Sequence, residues 1–155
     1  MKAIILAGGR GKRLRPITDY VPKPLIPIKN IPIIEWQIKY LKKFGISEII
    51  VCSGYKTKMI ENYLNNKKLG IKITFSVEDK PLGTGGAIKK AGKKIKDRSF
   101  LVINGDIITN IDLKKLIKKN NAIAAIQLRT KFGILQTDKD KIMKFDEKKE
   151  IENLW

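Results

Sequence analysis

Strands alternating with helices predict an α/β fold for this chain, with a mostly parallel central sheet carrying helices on both faces. Three observations lead there. Ala3, Ile4, Ile5, Leu6 and Ala7 form a continuous apolar run, the mark of a strand buried on both sides. A glycine-rich turn with basic side chains follows it directly, which is how many α/β proteins hold an anion beyond a strand's carboxyl end. Apolar residues then recur at helical and at strand spacing in turn along the rest of the chain.

The elements follow in order. Residues 1–7 are the first strand. Arg13-Leu14-Arg15-Pro16 cannot open a helix, because a proline disfavours the helical conformation in the residue before it. The loop is therefore expected to run on, extended, toward Pro22-Lys23-Pro24. Residues 32–44 read as a helix, with Pro32 at its first position, Gly45 at its end and Ile34, Ile38 and Leu41 as its apolar stripe. Residues 48–53 are a buried strand built on Ile49, Ile50 and Val51. Residues 56–65 are a short helix with Met59, Ile60, Tyr63 and Leu64. Ile71, Ile73, Phe75 and Val77 alternate, which makes 71–77 a strand of period two. A helix over 85–95 and a strand over 99–103 come next. Asp112 caps a helix ending near Lys119. Residues 122–128, 134–137 and 141–145 read as later strands. With no internal repeat and no low-complexity linker, 1–155 is expected to be one domain.

Composition narrows the function classes. The chain has 155 residues, 43% of them apolar, enough for a real core. No run approaches the roughly 18 apolar residues of a membrane span. The short first strand leads into Gly-Arg-Gly, unlike a signal peptide, so a cytoplasmic location is expected. Cys52 is the sole cysteine and there is no histidine, which excludes an internal disulfide, zinc spacing and histidine general-base chemistry. The net charge is +18, from 33 basic and 15 acidic residues. The lysines are spread over every segment without interleaved aromatic residues, which reads as a solvated surface and not as a nucleic-acid face. Such a field suits small anionic substrates.

The turn after the first strand is Leu6-Ala7-Gly8-Gly9-Arg10-Gly11-Lys12-Arg13-Leu14-Arg15-Pro16. It is no P-loop, since no Ser or Thr follows Lys12, and no dinucleotide fingerprint, since Leu14 stands where the third glycine belongs. Pro22-Lys23-Pro24-Leu25 follows six residues later. Together these motifs resemble the opening signature of the sugar-phosphate nucleotidyltransferases, the nucleoside-diphosphate-sugar pyrophosphorylases. The resemblance implies a Rossmann-like, three-layer nucleotidyltransferase fold. It also implies transfer of a nucleoside monophosphate to a sugar 1-phosphate with release of pyrophosphate, assisted by Mg²⁺.

Carried over residue by residue, the resemblance places nucleotide binding at Leu6, Ala7, Gly8, Gly9 and Gly11, with Arg13 meeting the triphosphate and steadying the departing pyrophosphate. A guanidinium is always charged and forks onto phosphate oxygens. Arg10, Lys12 and Arg15 read as surface charges of the loop. Lys23, stiffened by a proline on each side, contacts the reacting phosphates in the family. Asp106, at the end of the 99–103 strand and after Gly105, matches the family's metal ligand, and Mg²⁺ prefers oxygen donors of this kind. The stretch Glu78 to Gly86 resembles the block that closes on base and ribose, with Gly83 and Thr84 in the binding positions. A carboxylate only accepts hydrogen bonds, and guanine offers two adjacent donors where uracil and thymine offer one between two acceptors. Glu78 therefore reads either as a guanine reader, as in mannose-1-phosphate guanylyltransferases and their heptose relatives, or as a solvated loop residue.

Gly133, Glu147 and Lys148 match the family's sugar-phosphate positions, although Lys149 stands where its motif has proline. Asp146 to Glu150 also reads as a solvated charge run. Family domains carry a second metal-binding aspartate farther along than Asn153-Leu154-Trp155, so a C-terminally shortened domain is expected. The favoured expectation is GTP with mannose 1-phosphate. The alternatives are a thymidylyl- or uridylyltransferase acting on glucose 1-phosphate, and a non-catalytic, truncated nucleotide- or sugar-binding subunit. The sequence leaves open whether the protein is a monomer or a homo-oligomer.

Overall fold

The computed structural model describes residues 1–119, 121–126 and 134–146. The chain divides into two compact units, Met1–Leu113 and Lys114–Trp155. The first unit contains strands β1 (Lys2–Ala7), β2 (Pro27–Ile28), β3 (Ile31–Pro32), β4 (Glu48–Ser53), β5 (Lys72–Val77) and β6 (Phe100–Asn104). Its helices are α1 (Ile17–Tyr20), α2 (Ile33–Lys43), α3 (Thr57–Asn65) and α4 (Gly83–Gly92). Helix α5 (Leu113–Ile117) begins at the boundary, and the second unit carries β7 (Ile134–Asp138) and β8 (Lys141–Asp146).

The central sheet has the order β5-β4-β1-β6, and every pair in it is parallel. This is the expected α/β architecture. Ile4 of β1 stands level with Ile50 of β4 on one side and Val102 of β6 on the other. Side chains alternate across a strand. Ile4, Ile50 and Cys52 pack with Ala87 and Ala91 of α4 on one face. Ala3, Ile5, Ile49 and Val51 point the other way and are just as fully buried. Helix α2 buries the expected stripe of Ile34, Ile38 and Leu41. It starts one residue after Pro32, which is still extended (φ −55°, ψ 145°). Gly45 ends it in a left-handed conformation at φ +80°. There Gly45 N–H donates to Lys42 O (3.0 Å) and Ile46 N–H to Leu41 O (3.3 Å), which satisfies two carbonyls the helix would otherwise leave open.

Two expectations fail, and one element was not foreseen. The loop after β1 is not extended throughout: single helical turns occupy Lys12–Leu14, Ile17–Tyr20 and Lys23–Leu25. The proline rule acts on one residue only. Arg15 is extended (φ −63°, ψ 144°), and helical turns form on either side of it. Residues 122–126 carry no strand, and Ile123 and Ile126 are 91% and 70% exposed. A strand needs a partner for its backbone as well as an apolar pattern. The rest of that expected strand lies outside the described residues. Finally, β2 and β3 form a short antiparallel hairpin that the sequence reading missed. Its two-residue turn puts Lys29 and Asn30 at φ +50° and +63°, without the glycine that usually announces such a turn.

In the second unit β7 and β8 form an antiparallel hairpin, within a residue of the expected bounds, with Lys139 in its turn at φ +51°. Among the described residues no helix is long and apolar enough to cross a membrane.

The strand order positions the site. The chain lays down β1, β4 and β5 outward in one direction, then returns to place β6 on the opposite flank of β1. The carboxyl ends of β1 and β6 thus form a topological switch point, where open α/β sheets bind ligands. Gly105 N–H donates to Leu6 O across it at 2.8 Å. A Cβ at Gly105 would lie 2.5 Å from Leu6 O, so only glycine lets the two strand ends come this close.

Candidate functional site

An open cleft of about 510 Å³ lies at this switch point. Leu6 to Gly9 line it from the end of β1, and Gly11 to Leu14 from the turn that follows. Lys23 and Pro24 close one side, Glu78, Pro81, Gly83 and Thr84 another, and Asn104 to Asp106 come in from β6. Cys52 and Ala87 complete the lining from β4 and α4.

The glycine turn is held from within. Gly11 is left-handed at φ +64°, and a Cβ there would lie 2.9 Å from Thr18 Cγ2. Buried Thr18 donates its hydroxyl to Gly11 O at 3.0 Å, and Leu14 N–H donates to the same oxygen at 2.9 Å. Tyr55, following β4, ties both ends of the loop: its N–H donates to Gly8 O (3.3 Å) and its hydroxyl to Thr18 O (2.9 Å). The Arg10 guanidinium lies 6.0 Å from the centre of the Tyr55 ring, and Arg15 pairs with Asp19 at 3.0 Å, so both are loop-surface charges as expected. Lys12 departs from expectation: the helical turn it opens brings it to the cleft beside Arg13.

Pro22 and Pro24 are buried, and they fix the backbone around Lys23. The Lys23 ammonium donates to Asp106 Oδ2 as an ion pair across the cleft. Glu78 is anchored on the far side. Its N–H donates to Ser53 O (2.7 Å), and its Oε2 accepts from Leu82 N–H (3.1 Å) just ahead of α4. Its Oε1 faces Gly8, where a Cβ would stand 3.2 Å away. Glu78 thus stands in the wall of the cleft, half-buried and held by its neighbours. Burial, with Glu78's charge as a lesser cause, pushes the Cys52 thiol up to about 11, so it is a neutral wall group at neutral pH.

The cleft therefore combines backbone glycines, the amino-terminal end of α4, three cations (Lys12, Arg13, Lys23) and two carboxylates on opposite sides. Backbone amides and cations of this kind bind a polyanion. Among the described residues no group of three or more carboxylate, histidine or cysteine side chains could hold a metal ion by itself. Asp106, the residue expected to be a metal ligand, lines the cleft with its carboxylate paired to Lys23.

A match to the nucleotidyl transferase family runs over residues 2–154. The chain belongs to the nucleotidyl transferase family. Among this family's proteins it is 42% identical to D-glycero-alpha-D-manno-heptose 1-phosphate guanylyltransferase of Aneurinibacillus thermoaerophilus, with 96% of the chain and 68% of that protein covered. It is 39% identical to a probable mannose-1-phosphate guanylyltransferase of Oryza sativa subsp. japonica, covering 97% of the chain and 46% of that protein. Crystal structures of HddC from Yersinia pseudotuberculosis superpose with TM-scores of 0.76 alone and 0.71 complexed with GMP-PN, at 35% and 32% identity. They cover 95% and 96% of the chain, which spans 69% and 70% of theirs.

Most of the site residues expected from the sequence gather in one place. Leu6, Ala7, Gly8, Gly9, Gly11, Arg13, Lys23, Glu78, Gly83, Thr84 and Asp106 all line the cleft. Gly133, Glu147 and Lys148 lie outside the described residues. Of the lining residues, Cys52 and Ala87 lie outside every motif that the sequence singled out. Cys52 was legible in principle: it stands level with Leu6 on the neighbouring parallel strand, so both approach the same end of the sheet.

Proposed function

We propose that this protein transfers a guanylyl group from GTP to a sugar 1-phosphate and releases pyrophosphate. The observation that carries the proposal is the Lys23–Asp106 pair facing Arg13 and the glycine turn across one cleft. Both units are taken as parts of one nucleotidyltransferase domain, working in the cytoplasm.

In this reading an oxygen of the sugar phosphate attacks the α-phosphorus in line. A new P–O bond forms as the bond to the β-phosphate oxygen breaks, and pyrophosphate leaves with the electron pair. The attacking phosphate is already anionic, so no protein base or nucleophile is required, and the protein contributes positioning and charge stabilisation. The backbone of Gly8, Gly9 and Gly11 cradles the nucleotide. Arg13 binds the oxygens of the departing pyrophosphate, with Lys12 beside it. Lys23 turns from Asp106 to the reacting phosphates when they arrive. Asp106 would hold Mg²⁺, which would supply neutralisation of phosphate charge. Glu78 accepts from N1–H and the N2 amino group of guanine. Its anchor at the Leu82 N–H uses Oε2 and leaves Oε1 on the Gly8 side.

For the sugar, the expectation is mannose 1-phosphate. The 42%-identical relative favours D-glycero-α-D-manno-heptose 1-phosphate, which shares the manno ring. Gly133, Glu147 and Lys148 are proposed to bind the sugar phosphate. The test is pyrophosphate release with Mg²⁺ and each of the two sugar phosphates, across GTP, dTTP, UTP, CTP and ATP. Turnover with GTP alone is expected, and turnover with dTTP or UTP instead overturns the assignment of the base. Glu78→Gln removes one acceptor and is expected to lower the kcat/KM preference for GTP over UTP by about tenfold or more.

A further inference from the structure

We infer that Gln37 is a positioning residue for Asp106. It belongs to α2, a helix that contributes nothing to the cleft lining. The side chain is 2% exposed, and its Nε2 donates to two carbonyl oxygens, those of Asn104 and Ile107, each at 2.7 Å. These carbonyls bracket Gly105-Asp106. An amide nitrogen carries two protons, so one group satisfies both acceptors. The reverse orientation of the amide would set three oxygens against one another. Oε1 of Gln37 is buried without a hydrogen-bond partner, so it is the segment around Asp106 that fixes the way this side chain points.

Further bonds work in the same direction. Ile107 N–H donates to Asn104 O (3.3 Å) and closes the turn over Asp106. Tyr40, one helical turn on from Gln37, donates its hydroxyl to Ile111 O. From the other side Gly105 N–H is fastened to Leu6 O. The Asp106 turn is thus clamped between α2 and β1, and its carboxylate is presented to the cleft from a fixed backbone.

The inference rests on the reading of Asp106 as the group that holds Mg²⁺ with the nucleotide. Groups that orient a ligand from behind typically govern metal affinity by about 10–100-fold. The test is GTP binding by calorimetry, with Mg²⁺ and with chelator, in the wild type, Gln37→Met, Gln37→Glu and Asp106→Asn. Gln37→Met is expected to keep the metal-free Kd and to lose about tenfold of the tightening that Mg²⁺ gives. Gln37→Glu keeps size and shape, but its ionised carboxylate has no proton to donate. It is expected to lose the Mg²⁺ effect at pH 8 and regain part of it near pH 5.5, relative to wild type at each pH, since a protonated carboxyl again donates once. A packing role has no such pH dependence, and this variant decides the matter if Gln37→Met does not fold. Wild-type Mg²⁺ tightening in both Gln37 variants, with its loss in Asp106→Asn, overturns the inference and leaves the reading of Asp106 standing. Tightening retained in Asp106→Asn overturns that reading and the inference with it. Amide hydrogen exchange at residues 105–107 in the ligand-free protein is expected to rise in Gln37→Met, and unchanged exchange also overturns the clamp.

Discussion

At the scale of single residues, two glycines show how differently one residue type can be required. Gly105 has an unexceptional φ but no room, because a methyl there meets the backbone of Leu6 and Ala7. Backbone atoms cannot step aside as a flexible side chain can, so Gly105→Ala must part the ends of β1 and β6. Over-packing of this kind costs about 1–3 kcal/mol, and the expected drop in melting temperature is roughly 3–10 °C. Nucleotide binding is expected to weaken with it, because the same two strand ends carry the cleft. Gly45 is the reverse case: a methyl there would meet nothing within 4 Å, but φ stands at +80°. Gly45→Ala is expected to cost only the left-handed backbone, about 1 kcal/mol, read in the same melt and with nucleotide affinity unchanged. The sequence motif pointed to Gly105 as part of Gly-Asp. It could not say that the glycine serves the neighbouring strand, since that contact exists only once residues 6 and 105 are side by side.

At the scale of elements, hydrophobic period and glycine or proline punctuation located β1, β4, β5, β6, α2, α3, α4 and both strands of the second hairpin to within a few residues. Most of those segments bury residues against the core, so pattern and packing agree, whereas Leu135, Ile142, Met143 and Phe145 of the second hairpin are exposed and its strands rest on pairing with each other. The failures lie where structure is set by other things. The turns of residues 12–25 are held by bonds such as Thr18 to Gly11, the β2–β3 hairpin by an unannounced left-handed pair, and residues 122–126 have the pattern of a strand without its pairing. Helices α2 and α3 are joined by a polar clamp that period alone does not reveal. Glu35 is 7% exposed; its Oε1 binds the Lys39 ammonium at 2.7 Å and its Oε2 accepts from the Tyr63 hydroxyl. The bond from Lys39, then that from Tyr63, holds the Glu35 carboxyl below its ordinary value of 4.5. Burial, then the bond to Glu35, pushes the Tyr63 phenol up to about 12. A depressed carboxyl stabilises the fold above its ordinary value, and that contribution is lost as pH falls through the folded value. Glu35→Gln is therefore expected to flatten the fall of melting temperature below about pH 4.5. At pH 7 it is expected to cost about 1 kcal/mol, a modest figure because Lys39 is half exposed.

At the scale of the whole molecule, the charge of +18 has no single face assigned to it, yet the cleft opens into that field. Attraction of a triphosphate by the entire chain acts over a Debye length, about 30 Å at 0.01 M salt and 8 Å at 0.15 M. The association rate for GTP is expected to fall by roughly tenfold between those conditions, measured by stopped-flow fluorescence with the dissociation rate changing far less. The topology has a consequence of another kind, in the order of synthesis. β1 leaves the ribosome before its neighbours in the sheet and ends between two of them, with Ala3, Ile4 and Ile5 fully buried. Its partner on one flank begins at Glu48 and on the other at Phe100. At about 5–20 residues per second, the β6 flank of this apolar strand stays without its neighbour for some 5–20 seconds of translation. During that interval the nascent chain must keep this apolar segment covered by other means, and the cleft does not yet exist.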